Sequence, residues 1–164
     1  MTTSNFFINN ILSPLTEFGG VYNTTSIKTA DFKDYPCYLV CNLSPAGTLG
    51  SHWVGLALFK NHIFYFDSLG KKCHNKHIQS FLLTKGYRSY KYLNKPIQNF
   101  FSRHCGYFVM SFFIYLSRGF TPKDYLNRFE NDSLENDKIV VKDVLKFWRE
   151  YESSVPHYSG MKLL

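Results

Sequence analysis

The segment Cys105-Gly-Tyr-Phe-Val-Met-Ser-Phe-Phe-Ile-Tyr-Leu116 carries no charge, and its apolar side chains fall on every side of a helical wheel. A helix that is apolar all round is stable only when it is covered all round, so the chain must fold around this segment. The uncharged run, Cys105 to Ser117, is too short to cross a bilayer, which takes about 20 residues, and no membrane association is expected. The chain has 164 residues, enough for one domain that hides roughly 70% of its extended surface without a disulfide or metal staple. Its 16 Phe, 12 Tyr and 2 Trp exclude a disordered tail.

The other elements follow from local pattern. A first helix is expected near Ser4, with Phe7, Ile8, Ile11 and Leu12 at helical spacing and a stop by Pro14. Pro36 to Leu43 reads as a buried strand, followed by a loop of small residues, Ser44 to Ser51. The runs His52–Phe59 and His62–Asp67 flank Lys60-Asn61, which predicts a hairpin with a two-residue turn. In that hairpin Phe59 faces His62, and paired positions sum to 121. Asn75 to Thr84 reads as a helix with Ile78, Phe81 and Leu82 on one face and Gly86 closing it. Tyr87 to Leu93 is a further strand candidate, and Thr121-Pro122 resembles an N-cap followed by proline at the first helical position. An apolar stripe (Val140, Val144, Phe147, Trp148, Tyr151) opposite Lys142, Asp143, Lys146 and Arg149 predicts an amphipathic C-terminal helix docked on the core. With no internal repeat or linker, residues 1–164 read as a single domain. The order of helix, strands, then helices predicts an α+β fold: a small central mixed or antiparallel sheet against a buried helix with Cys105 at its N-terminus.

Lys and Arg number 19 against 12 Asp and Glu, a net charge of +7. Such a balance favours a polyanionic partner such as nucleic acid but does not dictate a fold. Four cysteines (Cys37, Cys41, Cys73, Cys105) could form two bridges. The start of the chain lacks the basic region of a secretory leader and carries Asn9, Asn10 and Pro14 in its apolar stretch. The expectation is therefore a non-secreted protein with free thiols.

Cys105 is the residue best placed for chemistry. It opens the apolar helix, after Arg103-His104 and before Gly106. The positive end of the helix dipole and nearby positive charge favour the thiolate, which is the nucleophilic form. Gly106 permits close approach of a substrate carbonyl. A cysteine nucleophile needs a base and a group to orient it. His52 and Asp67 fall at the same end of the predicted hairpin, within diagonal cross-strand reach. Gln98, seven residues before Cys105, has an amide that can donate to an oxyanion beside a backbone N–H at the helix start. Pro96 restricts that loop.

Two readings compete. Cys73-His74-Asn75-Lys76-His77 gathers a thiol and two imidazoles, with Cys37 and Cys41 as the only further thiol pair for a zinc site, and no metal is expected there. Tyr87-Arg88-Ser89-Tyr90-Lys91-Tyr92 interleaves bases and rings, as a basic, non-catalytic nucleic-acid-binding module would, or simply an edge strand.

The order His52-Trp53, Asp67-Ser68, Gln98, Cys105-Gly106 resembles the adenovirus-type cysteine endopeptidase (adenain) and its relatives. These are the maturation proteases of virophages and Polinton-like elements and, in the same superfamily, the ubiquitin-like-protein-specific peptidases. The resemblance covers roughly residues 15 to 120 and leaves the C-terminal helix unmatched. The adenovirus enzyme has Glu as its third member, whereas Asp67 is as in the ubiquitin-like-protein peptidases. The resemblance implies a thiol endopeptidase with His52 as general base, Asp67 as its orienter and Cys105 as nucleophile. Gln98 and the Cys105 backbone N–H would form the oxyanion hole, with Trp53 and Gly106 against the substrate. It implies a protein substrate, capsid or core precursors cleaved in virion maturation, or else a ubiquitin-like modifier removed by an isopeptidase. It implies a monomer in host cytoplasm or nucleus and in the virion, requiring no cofactor, with DNA as an activator compatible with the basic charge. The peptide-linking cysteine of the adenovirus enzyme has no obvious counterpart, Cys73 being left only by elimination.

Overall fold

The central strand runs of the sequence are apolar at nearly every position, which calls for a sheet covered on both faces. The computed structural model, which describes residues 3–45, 47, 52–131 and 133–156, has that arrangement. Much of the loop expected at 44–51, namely residue 46 and residues 48–51, lies outside the described residues. Strands β1 (Phe18–Asn23), β2 (Cys37–Asn42), β3 (Trp53–Leu58), β4 (Ile63–Phe66) and β5 (Lys91–Tyr92) lie side by side in sequence order. The β2–β3 and β3–β4 pairs are antiparallel and the two outer pairs parallel, so the sheet is mixed. Helices α1 (Asn5–Leu12), α2 (Lys76–Thr84), α3 (Cys105–Ser117), α4 (Pro122–Leu126) and α5 (Leu134–Ser154) complete an α+β fold.

The pleat sorts the strand residues into two cores. Tyr38, Val40, Trp53, Ala57, Phe64 and Phe66 face the core around α3. Their neighbours Leu39, Cys41, Val54, Leu56, Ile63 and Tyr65 face the opposite way, with Ile78, Phe81 and Leu82 of α2. Helix α3 is flanked by β3 on one side and by α1, α4 and α5 on the others. Phe108, Phe112 and Phe113 are fully buried there, each worth about 1.5–3 kcal/mol relative to exposure. The one serine buried in α3, Ser111, donates from Oγ to Asp143 Oδ2 of α5 at 2.6 Å, so its hydroxyl is satisfied.

The ends of these elements follow local chemistry. Ser4 Oγ accepts from the Phe7 amide at 3.2 Å, Asn75 Oδ1 from the His77 and Ile78 amides, and Thr121 forms a capping box with Asp124 ahead of α4. Gly86, at φ 89°, ends α2 as expected. The strand expected at Tyr87–Leu93 shrinks to Lys91–Tyr92. Tyr87 is taken up by the end of α2, its amide donating to the Leu82 carbonyl at 2.9 Å and its hydroxyl to the Phe59 carbonyl at 2.7 Å. Strand β1 has no counterpart in the sequence pattern; its Gly19-Gly20 pair carries no β preference, and the ladder shifts register there.

At Gly55 the sheet and α3 touch: a β-carbon there would sit 2.9 Å from Phe113 Cζ and 3.3 Å from Val109 Cγ1. Gly55→Ala is therefore expected to lower stability by about 1–3 kcal/mol through overpacking, read as a reduced urea midpoint at unchanged m-value.

Candidate active site

The β3–β4 hairpin has the register its turn imposes: Leu58 pairs with Ile63 and Gly55 with Phe66, each pair summing to 121. That register brings His52, just before β3, against Asp67, just after β4. His52 Nε2 lies 2.7 Å from Asp67 Oδ1. The carboxylate can only accept, so Nε2–H donates and Nδ1 is the nitrogen left for the thiol of Cys105, which lines the same cleft. Asp67, 2% exposed, also accepts from the Leu69 amide at 2.8 Å, which fixes its carboxylate.

Ser68 continues the arrangement on the other side of the chain. Its hydroxyl donates to Gln98 Oε1, and its carbonyl accepts from the Ile97 and Gln98 amides at 2.9 and 3.0 Å. Gln98 Nε2 in turn donates to the Ser102 carbonyl at 2.9 Å. The amide orientation is thereby determined, and Gln98 lines the cleft. Gly70, at φ 70°, lets the Gln98 loop approach: a side chain there would meet the Lys95 carbonyl oxygen and Pro96 nitrogen at 2.7 Å.

Cys105, half-buried, is the first residue of α3 and lines the same cleft as His52, Asp67 and Gln98. The cleft measures about 1240 Å³, larger than the roughly 300–1000 Å³ of small-molecule pockets. Trp53 lines it too but is only 5% exposed, its indole N–H donating to the Thr3 carbonyl at 3.2 Å. Gly106 is buried, and Thr3 takes the space of its missing side chain, since a β-carbon there would lie 2.7 Å from that of Thr3. The close approach that this glycine permits is thus made by the chain's own N-terminal segment. Sequence reasoning named Ser68 within the Asp67-Ser68 motif but gave it no role, and it missed Ser102 and Thr3. For Ser68 the signal was its place beside Asp67. Among the described residues no three of His, Cys, Asp or Glu converge as metal ligands.

Burial alone would lower the pKa of His52, but the hydrogen bonds to Asp67 and Cys105, with their charges, overrule it and raise the imidazole to about 9. Burial pushes Cys37 up to about 11 and Cys41 to about 12, and raises Cys73 as well. The arrangement as a whole can accept a thiol proton, return it to a leaving group and hold an oxyanion.

With this geometry in view, two solved structures share the fold. The ASFV pS273R protease superposes at a TM-score of 0.52 with 15% identity, over 87% of this chain and 66% of that one. ChlaDub1 from Chlamydia trachomatis superposes at 0.52 with 18% identity, over 94% and 83%. The fold is that of the ASFV protease. This chain spans just under two thirds of that protein's length. No protein-family model and no curated protein matches the sequence.

Two outcomes follow. In the folded protein near neutral pH, iodoacetamide should label Cys105 well before Cys37, Cys41 and Cys73, read by mass spectrometry; equal, slow labelling of all four would contradict the geometry. The stabilisation from charged His52 beside Asp67 should be complete below the ordinary histidine pKa and fade as pH rises through about 9. Unfolding free energies of wild type and Asp67→Asn should therefore differ by on the order of 3 kcal/mol at pH 6 and converge above pH 10.

Proposed function

We propose that this chain is a cysteine endopeptidase acting on protein substrates. The observation that carries the reading is one imidazole bonded to a buried carboxylate in the same cleft as the thiol that opens α3. With the thiol proton already resting on His52, whose imidazole is raised to about 9, the Cys105 thiolate attacks the scissile carbonyl carbon. The oxyanion is held by the Gln98 Nε2–H and the Cys105 backbone N–H, in the manner of pre-placed donors. Collapse breaks the C–N bond, with His52 protonating the leaving amine and a thioacyl enzyme remaining. Water, giving a proton to His52, then attacks that acyl group. The acid is released, leaving the thiolate beside protonated His52. Asp67 holds the imidazole in the productive tautomer. Trp53 and Gly106 shape the substrate side through Thr3.

Within this class the reading is a maturation protease of the adenovirus, virophage and Polinton-like branch, cutting capsid or core precursors in the infected cell or the virion as a monomer. The order of the four motifs and the Gln98-to-Cys105 spacing support it. The +7 charge suits DNA as an activator rather than as the main function. A second reading, an isopeptidase for ubiquitin-like modifiers, is favoured by Asp67 standing as third member.

Incubating wild type and Cys105→Ala with the structural proteins of the source and mapping new termini tests the first reading. Wild type should generate new termini and Cys105→Ala none; termini made equally by both would refute it. Labelling of Cys105 by vinyl-sulfone probes built on ubiquitin-like proteins, without precursor cleavage, would favour the second. Gln98→Ala should lower kcat about 10²–10³-fold. Asp67→Asn should cost roughly 10³-fold or more. It should also move the alkaline limb of kcat/KM to below about pH 9, because the imidazole loses its charged partner.

A further inference from the structure

The C-terminal helix lies outside the sequence resemblance, yet the start of α5 reaches the loop that carries Gln98 and leads to Cys105. Asn136, 2% exposed, donates from Nδ2 to the Ile97 carbonyl at 2.8 Å and to the Glu130 carbonyl at 2.6 Å. Ile97 precedes Gln98, and the amides of both donate to the Ser68 carbonyl. The peptide leading into Gln98 is thus clamped from the end of β4 and from α5. The next residue, Asp137, is 7% exposed and accepts from His104 Nδ1 at 3.0 Å. His104 precedes Cys105, and its backbone amide donates to Ser102 Oγ at 3.2 Å. The Ser102 carbonyl is the acceptor of the Gln98 side-chain amide. Two consecutive residues of one helix therefore grip both ends of the loop 97–104.

Apolar residues would serve packing at this interface more cheaply, since a buried amide or carboxylate costs free energy unless it is bonded. The partners of these two side chains are groups adjacent to the candidate oxyanion donor and to the nucleophile. Gln98 sits on a loop, where precision depends on the groups around it. A misplacement of about 1 Å at such a group can cost on the order of 10²-fold in rate.

We propose that Asn136 and Asp137 are positioning residues for the oxyanion hole. They set the separation of the Gln98 amide from the Cys105 N–H without touching substrate. The catalytic part of this statement rests on the protease reading above; the clamp on Gln98 does not.

The test uses the full chain and two isosteric variants. Asn136→Asp replaces a double donor with acceptors facing two carbonyls, and Asp137→Asn removes the charge beside His104. With a peptide spanning a mapped cleavage site, each should lower kcat about tenfold to hundredfold with KM within about twofold. Alkylation of Cys105 by iodoacetamide, which forms no oxyanion, should stay within about twofold of wild type. In a Gln98→Ala background either substitution should change kcat by less than about threefold, because the group it acts through is gone. In the 15N-labelled chain, the side-chain amide signals of Gln98 should shift in both variants. Unshifted Gln98 signals, full additivity with Gln98→Ala, or alkylation falling in step with kcat would overturn the proposal. Should wild type cleave nothing, the protease reading falls, and the Gln98 amide signals alone decide the clamp.

Discussion

A helix with no polar side has to be hidden all the way round, and the rest of this molecule is arranged by that requirement. The β3–β4 hairpin covers one side of α3, and α5 packs along another. Each cover ends near the N-terminus of α3. The hairpin ends there with His52 and Asp67, and α5 begins there with Asn136 and Asp137. The burial that stabilises the core thus also gathers thiol, imidazole, carboxylate and amide at one place. The first-turn N–H groups of α3 have no helical partner, and Cys105, which opens that turn, lines the same cleft.

Asp67 and Ser68 show how little chain such an arrangement takes. Successive residues leaving a strand point to opposite sides. Asp67 turns to His52, and Ser68 turns to Gln98. One dipeptide directly after β4 therefore orients both the candidate base and the candidate oxyanion donor. The electrostatic cost of burying Asp67 is offset by the His52 and Leu69 donors, and the same pairing raises His52 to about 9 against the pull of burial.

The hairpin was legible in the sequence because a two-residue turn leaves only one register, and that register set residue 52 opposite residue 69, within diagonal reach of Asp67. The buried helix, the helix starts near Ser4 and Asn75 and the cap at Thr121 were legible for the same reason: each is decided by a few neighbouring residues. What escaped was decided at long range. Strand β1 is a strand because β2 offers it a ladder, not because Phe-Gly-Gly-Val-Tyr-Asn prefers one. Tyr87 looks like a strand residue, yet the end of α2 claims it. In α5 the apolar stripe was readable from Val140 onward. Hydropathy alone gives Asn136 and Asp137 no reason to be inside, whereas the loop they hold gives them one.

That pair also bears on what the fold trades for its site. Asp137 Oδ1 is buried with no hydrogen-bond partner among the described residues, a cost that well-packed apolar residues would not carry. The carboxylate lies in the first turns of α5, where the helix dipole favours a negative charge and reduces that cost without removing it. Its other oxygen meets His104, the residue next to Cys105, so the incomplete satisfaction falls at one of the two joints between α5 and the loop 97–104. A core shaped for stability alone would place a leucine there. A core that must also hold Gln98 and Cys105 in register has a reason to keep the charge.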